Sequence, residues 1–376
     1  MTDPHWQIEG QARFKVGAAF FRPHSRVVRD LGVLLAAAHQ RKTGRLRVLE
    51  AMAGCGVRSL RYWQESGADW VWANEGNPDL GHLLHANLAS LLSQRCGKLT
   101  QEDANRVFFQ CYLNRDYYDL VDVDCFGTAV PYLSTCLWAA AIGGFVYLTS
   151  TDGRSATGHL PTQSLRAYAA YARSHPAAHE QGLRLAIASL QQQAATKGLG
   201  IRPIFSLFTG ETYRVMVQVT AKPALTEQNY GFLGYCHHCG EYQVVPWRRL
   251  GRVSCPGCDR PCTVTGPMWL GNLHDPPMLD RLMRLATEWQ WHDRIGLLSV
   301  MAAEATLPPY FYRLGDIGKR GKTDIPKRSQ LIQALQDHGH RAATTSVNAE
   351  AIKTDASMKV CAAIARDLNR FPNPMP

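Results

Sequence analysis

Up to Lys222 the chain alternates short, nearly unbroken apolar runs with longer stretches in which apolar residues recur every three or four positions. The runs Leu46–Glu50, Trp70–Glu75, Val107–Cys111, Asp119–Asp124 and Phe145–Thr149 have the length of strands and, except in Asp119–Asp124 where apolar and acidic residues alternate, little polar alternation. Strands of that kind lie inside a sheet covered on both faces. Between them, Ser59–Glu65, Pro78–Leu92, Pro131–Ala141, Leu165–Arg173 and Glu180–Thr196 have helical character, two of them opened by a proline where its missing amide costs nothing. Strand–helix alternation predicts an α/β fold with a Rossmann-like, doubly wound parallel sheet. Ile201–Phe208 and Tyr213–Val219 are expected to pair antiparallel at one edge. This first domain is expected to cover residues 1–222.

Beyond a linker at Pro223–Gln228 the pattern changes, and residues 223–376 are expected to form a C-terminal α+β domain. It includes a return strand at Gly266–Gly271, helices at Pro277–Glu288 and Ser329–Asp337, and a strand at Tyr310–Tyr312. The loop Gly318-Lys319-Arg320-Gly321-Lys322 is a candidate phosphate contact. Cys236-His237-His238-Cys239 and Cys255-Pro256-Gly257-Cys258 are two CxxC pairs separated by the fifteen residues 240–254. Each pair can wrap one side of a tetrahedral ion, so Cys236, Cys239, Cys255 and Cys258 predict a structural Zn2+ in a zinc-ribbon-like module over 236–258, with no open position for catalysis. His237, His238 and Cys262 are near enough in sequence to be rival ligands.

Candidate chemistry gathers at the ends of the first-domain strands. Asp119-Leu120-Val121-Asp122-Val123-Asp124-Cys125-Phe126-Gly127 delivers a carboxylate and an aromatic ring together. The carboxylate can accept a hydrogen bond from an exocyclic amine while the ring stacks on the base that bears it. Gly54-Cys55-Gly56 forms a strand-to-helix turn, Glu75 ends the second strand where a ribose diol would be held, and Asp103 stands where an acidic loop can meet an adenine amine. The third glycine of a dinucleotide fingerprint is absent, since Arg58 and Ser59 follow Gly56. A phosphate-free cofactor, such as S-adenosylmethionine, fits this turn better.

Composition favours a polyanionic partner: 41 basic against 31 acidic side chains leave a formal charge of +10. With 45% apolar residues the chain can build sizeable cores. Leu137–Leu148 is the longest apolar stretch and is too short to span a bilayer, and Met1–Glu9 has no signal core. The expectation is a soluble, cytoplasmic protein with mostly reduced cysteines, no membrane contact and no obligate protein partner.

Six separated blocks carry a family resemblance. Phe20-Phe21-Arg22-Pro23 with Arg29-Asp30-Leu31, Gly56-Val57-Arg58, Asp103-Ala104-Asn105, Asp122 to Gly127, Gly266 to Asp275 and Ile352-Lys353-Thr354-Asp355-Ala356 together resemble the tRNA guanine-26 N2-dimethyltransferases. The resemblance spans nearly the whole chain and implies that the Rossmann-like first domain is a class I methyltransferase domain. It implies that Arg29, Arg58, Glu75, Asp103 and Ala104, with Gly54 and Gly56 of the turn, line an S-adenosylmethionine site. It further implies that Asp124, Phe20, Phe126 and the Cys125 carbonyl handle the target guanine, and that tRNA is the partner. Two departures stand out: the family's Asp-Pro-Phe-Gly is here Asp124-Cys125-Phe126-Gly127, followed by Thr128-Ala129 in place of Ser-Pro, and Arg22 replaces the usual Asn. Losing the proline removes a stiffening element from the loop. Other classes compatible with the residues are a methyltransferase for another nucleobase amine and a silent RNA-binding relative; an intact Asp124 argues against silence.

Overall fold

The computed structural model describes residues 6–370. A hairpin of β1 (Trp6–Glu9) and β2 (Ala12–Lys15) leads into the helix Arg26–Thr43, which is buried along Val28–Ala37. The central sheet follows with β3 (Arg47–Glu50), β4 (Trp70–Asn74), β5 (Gly97–Thr100), β6 (Tyr118–Asp124), β7 (Ala140–Ser150), β8 (Gly200–Phe208) and β9 (Tyr213–Thr220). Their spatial order is β5-β4-β3-β6-β7-β9-β8. The pairs from β5 to β7 are parallel, while β9 is antiparallel to both β7 and β8, as expected of the edge pair.

Two elements differ from the sequence reading for physical reasons. Val107–Cys111 is not a strand: it lies in the helix Ala104–Leu113, whose amino end is capped by the Asp103 carboxylate accepting from the Asn105 and Arg106 amides. Ala104, Val107, Phe108 and Cys111 form that helix's buried face at helical spacing. The real third strand, Gly97-Lys98-Leu99-Thr100, is a half-buried edge strand without an apolar run. Pro131–Ala141 likewise yields only a turn at Val130–Tyr132 and a short helix at Cys136–Ala139, because the chain enters β7 already at Ala140. Gly144 permits this, since a Cβ there would stand 2.9 Å from the Asp119 carbonyl.

After Lys222, β10 (Tyr230–Tyr235), β11 (Tyr242–Val245) and β12 (Thr263–Trp269) form a three-stranded antiparallel sheet in the order β11-β10-β12. The chain then turns back. Leu279, Leu282, Leu285, Leu298 and Met301 of the helices Pro276–Glu288 and His292–Glu304 share one core with Leu31, Leu34 and Leu35 of the helix Arg26–Thr43. A second small sheet, β13 (Tyr312–Arg313), β14 (Ala342–Thr344) and β15 (Ala351–Thr354), closes the chain with the helix Met358–Arg370. The division at residue 222 stands as a proposal about chain order; in space, the segments before and after it share apolar cores. The basic stretch 318–322 is also no free loop. It ends the helix Leu314–Gly321, and Arg320 donates to the Cys239 carbonyl at 2.7 Å.

Candidate active site

Parallel strands place their carboxyl ends on one edge of the sheet, and there a cleft of about 1290 Å3 opens. Phe20, Arg29, Gly54, Arg58, Glu75, Asp103, Ala104, Asp124, Cys125 and Phe126 all line it, so residues more than a hundred positions apart meet in one cavity. Gly56 does not. It caps the helix Val57–Gln64 behind the turn at φ +79°, where a Cβ would also press on Leu84 and Leu88.

Asp124 ends β6 at the centre of the cleft, with 28% of its side chain exposed. Arg58 Nη2 donates to its Oδ2 at 2.8 Å, and Arg214 Nη1 lies 3.3 Å from its Oδ1. Burial alone would raise its pKa, but Arg214 and then Arg58 outweigh that and hold the carboxyl well below the usual carboxylate range. Asp124 is therefore a permanent anion and a weak base. Behind it, Asp122 is fully buried and accepts from Arg58 at 2.8 Å and from the Tyr62 hydroxyl at 2.6 Å. Arg214 is a site residue that the sequence reading missed. A lone arginine inside the apolar strand Tyr213-Arg214-Val215-Met216-Val217 was the available signal, because a buried cation needs an anion.

The loop after Asp124 is pinned without the proline. The Cys125 thiol donates to the Thr149 carbonyl at 3.1 Å, and Gly127 N–H to Thr151 Oγ1 at 2.9 Å. In return Thr151 N–H reaches the Gly127 carbonyl at 2.7 Å. Phe126 is held out into the cleft at 72% exposure, its ring edge-on to Phe20 with centroids 4.9 Å apart. The second departure acts on the same pair. Arg22 lies 4.9 Å over the Phe20 ring and bonds Glu211 at 2.6 Å, strapping the N-terminal segment to the β8–β9 turn across the cleft mouth.

On the cofactor side, Glu75 accepts from the Gly54 amide at 2.8 Å and the Asn77 amide at 2.9 Å, one bond per oxygen, which leaves lone pairs for a diol. Asp103 caps its helix through Oδ1 only, and the adjoining Ala104 amide opens the helix. An acceptor beside a backbone donor matches the amine and ring nitrogen of an adenine edge. This donor set fits S-adenosylmethionine. Arg29 and Arg58 line the same cavity, yet their guanidinium groups are committed to protein carboxylates: Arg29 to Glu9 at 2.6 Å, Arg58 to the two aspartates. Glu50, a further lining residue not singled out from the sequence, is buried beside Asp122. Burial first, and Asp122 second, push its pKa up to about 8.

The four sulfurs of Cys236, Cys239, Cys255 and Cys258 lie within 4.8 Å of one another. A tetrahedral Zn–S4 centre has edges of about 3.8 Å, so the cluster fits the ion. Cys262 is not among the four and accepts from Gln243 at 3.3 Å, and His237 packs its ring edge-on to Tyr235.

The family model described as N2,N2-dimethylguanosine tRNA methyltransferase matches residues 6–366. The chain belongs to that family. Among curated N2,N2-dimethylguanosine tRNA methyltransferases it is similar to the tRNA (guanine(26)-N(2))-dimethyltransferase of Aeropyrum pernix, 28% identical over 90% of this chain and 86% of the relative. The enzyme of the same name from Thermoplasma acidophilum is 28% identical over 94% and 92%. Its fold resembles that of Trm1 from Pyrococcus horikoshii, solved with S-adenosyl-L-methionine, with a TM-score of 0.82 and 24% identity over 96% of this chain and 99% of the other. The large parallel sheet and the four-cysteine cluster are thus set in the family's fold.

Proposed function

We propose that this protein transfers one or two methyl groups from S-adenosylmethionine to the exocyclic N2 amine of guanine 26 in tRNA, with Asp124 as the group that receives the amine. The methyltransferase class follows from the family. What carries the residue assignment is a part-exposed carboxylate kept ionised by two arginines, between two exposed rings on one side and the Glu75–Asp103 pair on the other. When bound, S-adenosylmethionine supplies the electrophilic methyl group; the chain's own residues do the rest. A guanine amine is a poor nucleophile because its lone pair is delocalised into the ring. Asp124 accepts its N–H, aims the remaining lone pair, and as a fixed anion offsets the positive charge that grows on nitrogen. Its low pKa favours orientation and electrostatics over proton removal; an N-methylated ammonium on guanine is so acidic that even a weak base suffices. The Cys125 carbonyl, next along the chain from Asp124, is assigned the second N–H. Phe126 and Phe20 stack on the extruded base, which requires their edge-on contact to open.

Binding of the rest of the tRNA is supported by Arg248, Arg249, Arg252 and Arg260, all exposed on the zinc-ribbon-like module. The zinc itself is assigned a structural role, and metal analysis is expected to return about one ion per chain. No described helix is long and apolar enough to cross a membrane, and eleven cysteines without a disulfide suit a reducing cytoplasm. The deciding experiment incubates the protein with labelled S-adenosylmethionine and unmodified tRNA and maps the product nucleoside. Label on N2 of guanine 26 supports the assignment; label on another base amine, or none, removes it.

A further inference from the structure

The cleft changes character along the sheet edge. Over β3 to β5 stand Glu75 and Asp103, and over β6 stands Asp124. Beyond it, over β7, β9 and β8, the lining is Arg154, His159, His179, Phe208 and Tyr213, none of which the reaction described above uses. This far lobe is built. His179 lies face to face on Phe208, centroids 4.0 Å apart and planes 17° apart, with Nδ1 2.8 Å from the Tyr213 hydroxyl. His159 Nδ1 is 2.7 Å from Thr157 Oγ1, whose own proton goes to the Gly153 carbonyl at 2.6 Å. The Tyr213 hydroxyl can donate to His179 Nδ1 and leave its Nε2–H as a donor, whereas Thr157 has spent its proton on Gly153, so His159 Nδ1 donates in that pair and its Nε2 is a donor only when the ring carries both protons. The carboxylates on these segments are committed elsewhere: Asp152 accepts from the Ser155 amide at 3.2 Å, and Glu211 is paired with Arg22. Arg154, exposed at the rim, faces the lobe as a cation.

We propose that this lobe binds a phosphodiester flanking the extruded guanosine, with Arg154 and His159 as positioning residues. This rests on the reading of the cleft as a guanine-amine site. A base held at Asp124 has the cofactor end of the cleft closed to it, so its backbone leaves toward β7–β9. A phosphodiester offers two acceptor oxygens and one negative charge, which suits the Arg154 guanidinium fork and, with both ring nitrogens protonated, the His159 imidazolium, and would be repelled by the acidic cofactor end.

The test uses three synthetic tRNAs: natural, and with an uncharged methylphosphonate at the linkage 5′ or 3′ of the target guanosine. With wild-type protein, one of the two replacements is expected to raise KM about tenfold or more with little change in kcat. Arg154→Gln should produce the same loss on natural tRNA while leaving S-adenosylmethionine affinity unchanged, and Arg154→Lys should restore much of it. The decisive result is non-additivity: Arg154→Gln should be no worse on the sensitive methylphosphonate substrate than on natural tRNA. His159→Gln repeats the cycle at a second exposed position. Losses that multiply, or a lobe indifferent to both replacements as expected if it stacks a neighbouring base, would overturn the proposal. Failure of wild-type protein to methylate guanine in natural tRNA would instead bring down the reading beneath it.

Discussion

Two clusters in this protein pair buried carboxylates with buried cations to opposite ends. In one, Glu180 accepts from Arg184 at 2.7 Å and from Lys353 at 2.8 Å, Lys353 also lies 3.7 Å from Glu304, and Glu304 faces His274 at 3.5 Å. All five are at most 2% exposed. Arg184 further donates to the carbonyls of Trp269 and Gly271, so the helix Ala178–Ala195, the segment after β12 and β15 are tied at one point. In the other, Arg58, Asp122 and Arg214 are likewise buried, at most 4% exposed, but Asp124 keeps 28% of its side chain in the cleft. A closed cluster can only hold elements together. A cluster with one anion left partly open holds that anion ready, its charge fixed by the cations behind it. The comparison also explains two of the family blocks: Lys353 and His274 belong to the closed knot and lie outside the cleft lining.

Breaking the knot should have the largest effect. Lys353→Met removes the shared cation and leaves Glu180 and Glu304 buried without it, a loss expected to cost about 3 to 5 kcal/mol of stability. Denaturant unfolding measures it directly. A change below about 1 kcal/mol would mean the knot is not closed as described.

Opening the quartet should act on rate instead. Asn is nearly isosteric with Asp124 and can still accept from an amine, but carries no charge, so Asp124→Asn is expected to cut single-turnover methylation about a hundredfold or more with tRNA affinity little changed. Its unfolding midpoint should move far less than that of Lys353→Met. Near wild-type turnover would falsify the role given to the carboxylate. Glu75 provides an intermediate case, a carboxylate fastened to amides rather than cations. Glu75→Ala is expected to weaken S-adenosylmethionine binding by about 1.5 to 3 kcal/mol, read by calorimetry, and to leave tRNA binding intact.

The contrast marks what a sequence can disclose. Asp124, Glu75, Asp103 and the four cysteines were legible because each signal is local: a carboxylate at a strand end, two CxxC pairs at ribbon spacing. The partners that set their chemistry were not. Arg214 approaches Asp124 only because β9 is antiparallel to β7, and Arg29 meets Glu9 only because the N-terminal hairpin packs against the helix Val57–Gln64, whose Arg61 also donates to Glu9. The polar edge strand β5 escaped for another reason: it buries too little to carry an apolar run, while the helix after it mimicked a strand in its short apolar stretch. Pairing across the fold, not propensity, decided these points.

Arg214→Gln should have the smallest effect and the sharpest signature. In the wild-type protein Arg214 and Arg58 hold the Asp124 carboxyl well below the usual range, so it stays ionised at any working pH and contributes no acid limb to the rate. Removing Arg214 takes away the largest influence opposing burial and leaves Arg58 and the Thr149 hydroxyl, so the carboxyl pKa rises. The sign follows: as pH falls through the raised value the carboxyl gains a proton, ceases to be an anion and stops accepting from the amine, so the variant's rate falls more steeply on the acid side than the wild-type rate, any effect of Glu50 being common to both. At about pH 8, where the variant is still ionised, the loss should be only a few-fold. Single-turnover rates from about pH 5 to 8, compared between the two proteins, decide the matter. Parallel profiles would show that Arg214 is a packing residue and that Arg58 alone sets the charge at Asp124.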